Sequence, residues 1–354
     1  MKKKNELEPV SNEVGLDETL FDEADSKNVA AEEAVVPEVV LLNKKTFWQR
    51  FREEKYLQIM ALCGVVWMAI FNYAPMYGIL IAFKKNFYVT TPLYSLKFLK
   101  SPWASDFGFQ WFIKFFQDKE FASVMTNTLG ISVLKLVINF PLPIIFALLL
   151  NEVRFTRFKK IVQTISYLPH FLSWVVLGGL LTSWMSETGL FNEILMNLGL
   201  IKQGKTYLAY PEYFWPIVIV SDLWKELGWN AIIYLAAIAG IDQEMYEAAR
   251  VDGASRFRQI ISITLPSIAG TITILFILAV GGLLNSNFDQ IFVLWNQLNA
   301  ERSQVIDIFV YSVALRNGRY SYGTAIGLFK SVVAFILLFI ANQVTKKIND
   351  TALF

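Results

Sequence analysis

The sequence contains one cysteine and one histidine among its 354 residues. With Cys63 as the single thiol, neither a disulfide within the chain nor a cysteine-based metal site can form. With His170 as the single imidazole, a histidine-rich metal site and most arrangements of a serine or cysteine nucleophile are excluded. No other grouping of side chains indicates catalysis. The sequence therefore predicts a protein that is not an enzyme and that holds no metal or cofactor of its own.

Charged residues are also scarce, at 18% of the chain, whereas apolar residues make up 55%. This balance is too apolar for a soluble domain, and the apolar residues are gathered in runs long enough to cross a bilayer. The net charge is only +2, although residues 1–43 hold eleven acidic residues against four lysines. The remainder is therefore basic, which suits contact with anionic lipid or an acidic partner rather than nucleic acid. We predict an all-α, polytopic membrane protein.

Two segments precede the first apolar run. Residues 1–43 are acidic and nearly free of aromatic residues. They cannot bury enough apolar surface to offset the loss of chain entropy, so we predict a disordered tail. Residues 44–56 combine Phe47, Trp48 and Phe51 with alternating charges. This pattern is typical of an amphipathic helix that lies on the membrane surface.

Six apolar runs predict six transmembrane helices between residue 57 and the C-terminus. Several of them contain prolines, which bend a membrane helix without abolishing it. The predicted spans are 57–83, 124–150, 161–184, 214–239, 268–295 and 322–344.

The distribution of lysine and arginine predicts the orientation of these spans. An even number of spans puts both termini on one side, together with the basic segment 44–55, the short basic loop 151–160 and Lys346-Lys347. Since positive charge accumulates on the cytoplasmic side, we predict cytoplasmic termini. Lys84 and Lys85 argue against this orientation, because they adjoin the first span at its opposite end.

A polar loop, residues 241–266, separates the fourth and fifth predicted spans. Asp242 is a plausible N-cap for a short helix, Gly253 ends that helix, and Ser255 can cap a second one. Pattern alone leaves open an ordinary amphipathic connection. The order Glu-Ala-Ala from Glu247, three residues, Gly253, nine residues, then Ile-Thr-Leu-Pro ending at Pro266 is more specific.

This order resembles the loop of the permease subunits of ATP-binding-cassette (ABC) importers, and the resemblance implies a type I permease fold. It further implies that the loop docks onto an ATPase. The residues then expected to couple the two proteins are Glu247, Ala248, Ala249, Arg250, Asp252, Gly253, Leu265 and Pro266. The implied partners are a second permease, expected as a heterodimer, two ATPase subunits that carry Mg-ATP, and an extracytoplasmic solute-binding protein. The implied location is the cytoplasmic membrane of a prokaryote.

Other segments resemble the permeases of carbohydrate importers. They are Phe112–Thr128, Trp224–Trp229 with Gly240–Asp242, and Phe288–Phe292. The resemblance covers the chain from about Leu57 to the C-terminus and implies uptake of sugars, oligosaccharides or polysaccharide fragments. Two alternatives remain: a permease of the same fold for a solute other than sugar, and a self-contained ion-coupled transporter.

Polar side chains inside the predicted spans are candidates for a solute pathway, because they are costly in hydrocarbon. Asp222 and Lys225 lie three residues apart, and they could instead neutralise each other. Gly281-Gly282 and the polar residues after them predict an interrupted helix beside a wet cavity. Amides, carboxylates and aromatic rings are also groups that bind sugars. The candidate pathway residues are His170, Trp174, Asp222, Lys225, Glu226, Trp229, Asn230, Asn285, Asn287, Asp289 and Gln290.

One motif is rejected. Residues Gly199–Thr206 match the Walker A phosphate loop, and Asp222 ends an apolar stretch that imitates the magnesium-binding strand. A phosphate loop, however, follows a strand and opens a helix. Here Pro211 follows within a few residues, and the predicted topology places the motif outside the cell. We therefore expect no ATP site on this chain.

Overall fold

The computed structural model describes residues 55–87 and 92–349. This part of the chain is mainly helical and contains no strands, only one isolated antiparallel bridge between Lys84 and Trp103. The all-α prediction is thus confirmed. The predicted tail 1–43 and nearly all of the predicted interfacial helix 44–56 lie outside the described residues.

The chain divides into two units at residue 70. The described part of the first unit is the helix Lys55–Met68 and the start of a π-helical segment, Ala69–Tyr73. No side chain in these two segments is buried. A helix that is apolar on every face suits surroundings of lipid.

The second unit continues with short helical segments and then with longer helices. The segments before the centre of the chain are Ala74–Met76, Tyr77–Phe83, Leu96–Lys100, Asp106–Gly108, Gln110–Phe116, Phe121–Ile138, Pro141–Glu152, Thr156–Tyr167, Leu168–Phe171, Trp174–Trp184, Leu190–Asn197 and Tyr207–Ala209. Those that follow are Pro211–Ala239, Gln243–Val251, Arg256–Gln259, Ile260–Thr264, Leu265–Ser267, Ala269–Gly281, Phe288–Leu294, Ala300–Ser303, Ile306–Val310, Tyr311–Arg316 and Tyr320–Asn349. We call Pro211–Ala239 the central helix and Tyr320–Asn349 the terminal helix.

Three helical stretches in the described residues are long and apolar enough to cross a membrane. They are Lys55–Phe83, Phe121–Glu152 and Tyr320–Lys347, and two bent pairs of helices raise the number to five if each pair is one span. The predicted span 214–239 lies within the central helix, which has the length but carries three ionisable side chains near its middle: Asp222, Lys225 and Glu226.

The predicted third span, 161–184, is sharply bent close to its proline. Its two halves, Thr156–Phe171 and Trp174–Trp184, meet at an angle of 98°. Pro169 has no N–H for the helical hydrogen bonds, and the Ser173 hydroxyl accepts a bond from the Val176 N–H and so caps a new helix. His170 and Trp174 therefore lie on either side of a break.

The predicted fifth span is interrupted, as expected from its paired glycines. Helix Ala269–Gly281 ends at Gly282, and the next helix, Phe288–Leu294, begins after Asn287. Asn287 has a left-handed backbone with φ of +58°, which asparagine tolerates better than most residues. Helix Arg256–Ser267 also meets helix Ala269–Gly281 at 62°.

The central helix packs closely against helix Thr156–Tyr167, which we call the basic helix. At Gly228 an added Cβ would lie 2.3 Å from the backbone oxygen of Ser166. This separation is far below van der Waals contact, and the obstacle is backbone, which cannot rotate away. The glycine is therefore required for the two helices to approach each other.

We expect Gly228→Ala to destabilise the protein by about 1–3 kcal/mol, the usual cost of overpacking. Gly327→Ala in the terminal helix is the matched control, because nothing lies within 4 Å of the added methyl group there. That control should be neutral or stabilising, since alanine favours helix. Thermal unfolding of the purified protein measures both. Equal midpoints for the two variants would contradict the close packing.

Lys84 is buried although it follows the first predicted span directly. Its ammonium donates hydrogen bonds to the backbone oxygens of Leu99 and Ser101, at 2.9 and 2.8 Å, and lies 4.1 Å from the centre of the Trp103 ring. Burial lowers the pKa of Lys84. Because this ammonium is enclosed by protein, it is not a free charge at the lipid surface.

Candidate functional site

The 241–266 loop begins with the helix Gln243–Val251, which we call the loop helix. The Asp242 carboxylate accepts a hydrogen bond from the Glu244 N–H at 3.0 Å, as predicted for an N-cap. Ser255 caps the second short helix by accepting from the Arg258 N–H. The Tyr246 hydroxyl lies 2.9 Å from the Thr264 hydroxyl and joins the two ends of the loop.

Gly253 forms the turn between the two short helices. Its φ is +74°, a left-handed conformation that favours glycine. Its N–H donates to the Arg250 oxygen at 3.1 Å, and the Ala254 N–H donates to the Ala249 oxygen at 2.9 Å, so that the turn satisfies the helix end. Apart from Gly253 and its two chain neighbours, no described residue has an atom within 4 Å of where a Cβ would be. The turn is therefore open to a partner.

The predicted coupling residues lie mostly at the surface, in two groups. Glu247, Ala248, Asp252, Gly253, Leu265 and Pro266 are exposed, and Ala249 is half-buried. Val251 beside them is 88% exposed. Arg250, although exposed, lines a cleft on the opposite side of the loop helix together with Gln243 and Tyr246.

A first cluster of predicted pathway residues gathers at the break after the basic helix. His170 Nδ1 lies 2.7 Å from a carboxylate oxygen of Glu226, whose other oxygen is 3.2 Å from the Lys225 ammonium. The His170 ring stacks on Trp229, with centres 4.1 Å apart and planes 1° from parallel. Lys225 also lies over the ring of Trp174, at 5.6 Å. These contacts hold the bent segment against the central helix.

A second cluster joins three helices around Asp222. The Lys135 ammonium lies 2.9 Å from Asp222 and donates a hydrogen bond to the Gln290 side-chain oxygen at 2.7 Å. Asn139 donates to the second Asp222 oxygen at 2.8 Å. The alternative in which Asp222 and Lys225 neutralise each other is therefore wrong: each pairs with another residue, because the two side chains leave the central helix toward different neighbours.

A third group lines a cavity of about 810 Å³ between the terminal helix and helix Ile306–Val310. Asn285 and Asn287 lie on its wall, with an ion pair between Lys330 and Asp307 at 2.5 Å. The ring of Tyr311 also faces it. The remaining lining residues are Phe288, Val310, Ala314, Leu315, Tyr320, Gly323 and Thr324. The cavity thus offers amides, one cation, one carboxylate and aromatic rings.

Not all predicted pathway residues meet at one site. Gln290 is fully buried in the second cluster, where it also donates to the Val218 oxygen at 2.7 Å. Asn230 and Asp289 are exposed, and neither lines the 810 Å³ cavity. The structure therefore separates the candidates into two packed clusters and one cavity, and it leaves two residues outside all three.

Four residues of these sites were not predicted from the sequence: Lys135, Asn139, Asp307 and Lys330. Three of them, Lys135, Asn139 and Lys330, could have been found by the criterion that selected Asp222, because they are polar residues inside predicted spans. Asp307 lies between the fifth and sixth predicted spans. Its role depends on a contact with Lys330 that only the fold reveals.

The Walker A match has a structural explanation that does not involve phosphate. Asn192 is fully buried, and its amide donates to the backbone oxygens of Ser186 and Lys205, at 2.6 and 2.7 Å. At Gly204 an added Cβ would lie 2.0 Å from the Glu187 oxygen. The segment is preceded by helix Leu190–Asn197 and followed by a 3-10 turn, so that the strand and helix of a phosphate loop are absent from it.

Comparison with known proteins supplies independent evidence. A family model described as the inner membrane component of binding-protein-dependent transport systems matches residues 139–350. Protein LplB of Bacillus subtilis (strain 168) is 41% identical over 318 residues, which cover 89% of this chain and 96% of LplB. The polygalacturonan/rhamnogalacturonan transport system permease protein YteP of the same organism is 41% identical over 303 residues, or 85% of this chain and 91% of YteP.

A solved structure is also similar. It is a chain of a bacterial alginate ABC transporter in complex with a periplasmic protein bound to an alginate pentasaccharide. The solved chain is 36% identical in sequence to our protein, with a TM-score of 0.77. The match covers 87% of our protein and all of the solved chain.

Proposed function

Because the chain belongs to the family of inner membrane components of binding-protein-dependent transport systems, we propose that it is the permease subunit through which an ABC importer moves a sugar or oligosaccharide. Members of this family are transport subunits, not enzymes. Two relatives with 36–41% identity are named for polygalacturonan/rhamnogalacturonan and alginate transport. These names support an oligosaccharide or polysaccharide fragment as the solute.

The observation that carries this proposal is the 810 Å³ cavity. Amides such as Asn285 can hydrogen-bond to sugar hydroxyls, and rings such as Tyr311 can pack on sugar faces. Lys330 is the eleventh residue of the terminal helix, which places it about 15 Å along the axis from the start, near the middle of a bilayer. A polar group at this depth suits a solute path.

The driving force is expected from partner subunits that bind Mg-ATP. We propose that the exposed side of the 241–266 loop docks into an ATPase, with Glu247 and Gly253 at the centre of the contact. ATP binding would draw the ATPase pair together and rock this chain against a second permease, expected to be a different chain. A solute-binding protein would then release its sugar into the cavity from outside.

This mechanism needs the six-span topology with cytoplasmic termini and a cytoplasmic 241–266 loop. Lys84 argued against that orientation, but its ammonium is enclosed by the backbone oxygens of Leu99 and Ser101. Lys84 is therefore not counted among the free positive charges near the first span. The basic loop 151–160, with four exposed or half-exposed cations, supports cytoplasmic termini, although the exposed Lys85 still counts against them.

Uptake by the reconstituted importer tests the solute assignment. We expect ATP inside the vesicles to drive accumulation of labelled oligosaccharide and not of amino acids, phosphate or polyamines. Uptake should survive collapse of ion gradients and stop without ATP. Accumulation of a solute other than sugar would contradict the carbohydrate assignment, and dependence on an ion gradient would contradict the mechanism.

Two asparagines test the cavity itself. We expect Asn285→Ala to raise the sugar concentration for half-maximal uptake about fivefold, the effect of losing one hydrogen bond of about 1 kcal/mol. Asn230→Ala is the matched control, because Asn230 is also exposed but lies outside the cavity. Its uptake should match that of the unaltered protein. Equal effects of the two substitutions would exclude this cavity as the sugar path.

A further inference from the structure

A cleft of about 670 Å³ lies between the 241–266 loop and the end of helix Pro141–Glu152. Three arginines line it: Arg154, Arg250 and Arg256. The one carboxylate on its wall is Glu152. Its other polar side chains are those of Asn151, Gln243, Tyr246, Ser255 and Gln259. We call it the arginine cleft. Its wall carries a net charge of +2, and its hydrogen-bonding groups are mostly donors or can act as donors.

The positive charge of the cleft is only partly neutralised within the chain. Arg256 lies 3.5 Å from the Glu152 carboxylate, and its side chain is 51% exposed, so the pair is weak. One carboxylate faces three guanidinium groups, and these come from both sides of the cleft. Planar guanidinium groups bind phosphate oxygens in pairs of hydrogen bonds. The chemistry of the wall therefore fits a phosphate group.

The basic helix, which starts two residues after Arg154, indicates which kind of molecule would carry this phosphate. A stripe of exposed apolar side chains runs along it at helical spacing: Phe155, Phe158, Ile161, Ile165 and Leu168, each at least 55% exposed. Its opposite face packs on the central helix through Ser166. Basic residues Arg157, Lys159 and Lys160 flank the stripe, and residues 153–169 contain no acidic residue. An apolar stripe beside cations is typical of a segment in contact with anionic lipid.

We propose that the arginine cleft binds the headgroup phosphate of an anionic phospholipid, whose acyl chains lie along this stripe. The stripe favours a lipid over a soluble acidic partner, because its exposed apolar side chains require hydrocarbon. A bound phosphate would bridge Arg154, at the end of one membrane helix, to Arg250 and Arg256 of the 241–266 loop. Lipid would thereby hold the loop in place for the ATPase, and in this respect the inference rests on the proposed function.

Native mass spectrometry of the purified importer tests the site. The complex is titrated with phosphatidylglycerol or with phosphatidylcholine, and the lipids that remain bound are counted. We expect retention of phosphatidylglycerol over phosphatidylcholine. Arg154→Gln should weaken retention about tenfold, as expected when charge-assisted hydrogen bonds to a phosphate are lost. Arg157→Gln, which removes the same charge outside the cleft, should weaken it at most a few-fold.

Three outcomes would overturn the proposal. Equal losses in the two variants would show diffuse attraction to the membrane and no site. Equal retention of the two lipids would show that the phosphate charge is not recognised. Displacement of phosphatidylglycerol by millimolar inorganic phosphate would show a site for a free anion. Since the measurement needs no transported solute, it stays informative even if the sugar assignment fails.

Discussion

Gly253→Asp should abolish sugar-stimulated ATP hydrolysis by the assembled importer while the chain stays folded in the membrane. The backbone at Gly253 is left-handed, and aspartate is one of the few other residues that enter this region readily. The strain should therefore cost about 1 kcal/mol, since an added Cβ has no other residue within 4 Å beyond the two chain neighbours. The loss of function would come from the side chain and charge placed where the ATPase must approach.

Gly199→Asp is the matched control for this variant. Gly199 has a φ of +69°, and an added Cβ there also meets nothing within 4 Å. Its backbone strain should therefore equal that at Gly253, but it lies on the opposite side of the predicted membrane. ATP hydrolysis with and without sugar is measured for both complexes. Normal stimulation in Gly253→Asp, or equal loss in Gly199→Asp, would count against docking at the 241–266 loop.

Lys135→Met should destabilise the protein by about 3–5 kcal/mol, the usual cost of removing one partner from a buried ion pair. The side chains of Lys135 and Asp222 are only 15% and 14% exposed. Without Lys135, the Asp222 carboxylate keeps the Asn139 amide but loses its counter-charge, and Gln290 loses a donor. The expected result is a large fall in the thermal unfolding midpoint of the purified chain.

The double variant Lys135→Met/Asp222→Leu removes both charges and should recover most of this loss, because no uncompensated charge remains. Arg256→Gln provides the control for an exposed pair, and it should change stability by no more than about 1 kcal/mol. Two results would show that the ion pair does not hold the three helices together. One is an unfolding midpoint of Lys135→Met equal to that of the unaltered protein, and the other is a double variant no more stable than the single one.

The sequence predicts local features of the 241–266 loop well. The caps at Asp242 and Ser255 and the turn at Gly253 depend on side chains that act within three residues of their own position. The helical class likewise follows from long apolar runs, since only helices satisfy the backbone within a segment in lipid. The interruption near Gly281 was predicted from the paired glycines and from the polar residues that follow them.

Long-range pairings could not be predicted in this way. Asp222 pairs with Lys135, 87 residues away, whereas sequence spacing pointed to Lys225. The stacking of His170 on Trp229, which lies on another helix, is a second such pairing. The position of Arg250 in the arginine cleft follows from the fold of the whole loop. These contacts join residues that are far apart in the sequence. Local helix propensity does not encode them, so only the three-dimensional structure reveals them.

The most direct measurement of the central claim uses a single cysteine in the 241–266 loop. Cys63→Ser removes the one native thiol, and Ala248→Cys places a new thiol on the exposed side of the loop helix. We predict that a bifunctional reagent that joins thiols to amines links this thiol to the ATPase subunit in the assembled importer. We also predict that the thiol resists a membrane-impermeant maleimide applied to intact cells. Labelling from outside, with no crosslink to the ATPase, would contradict the account.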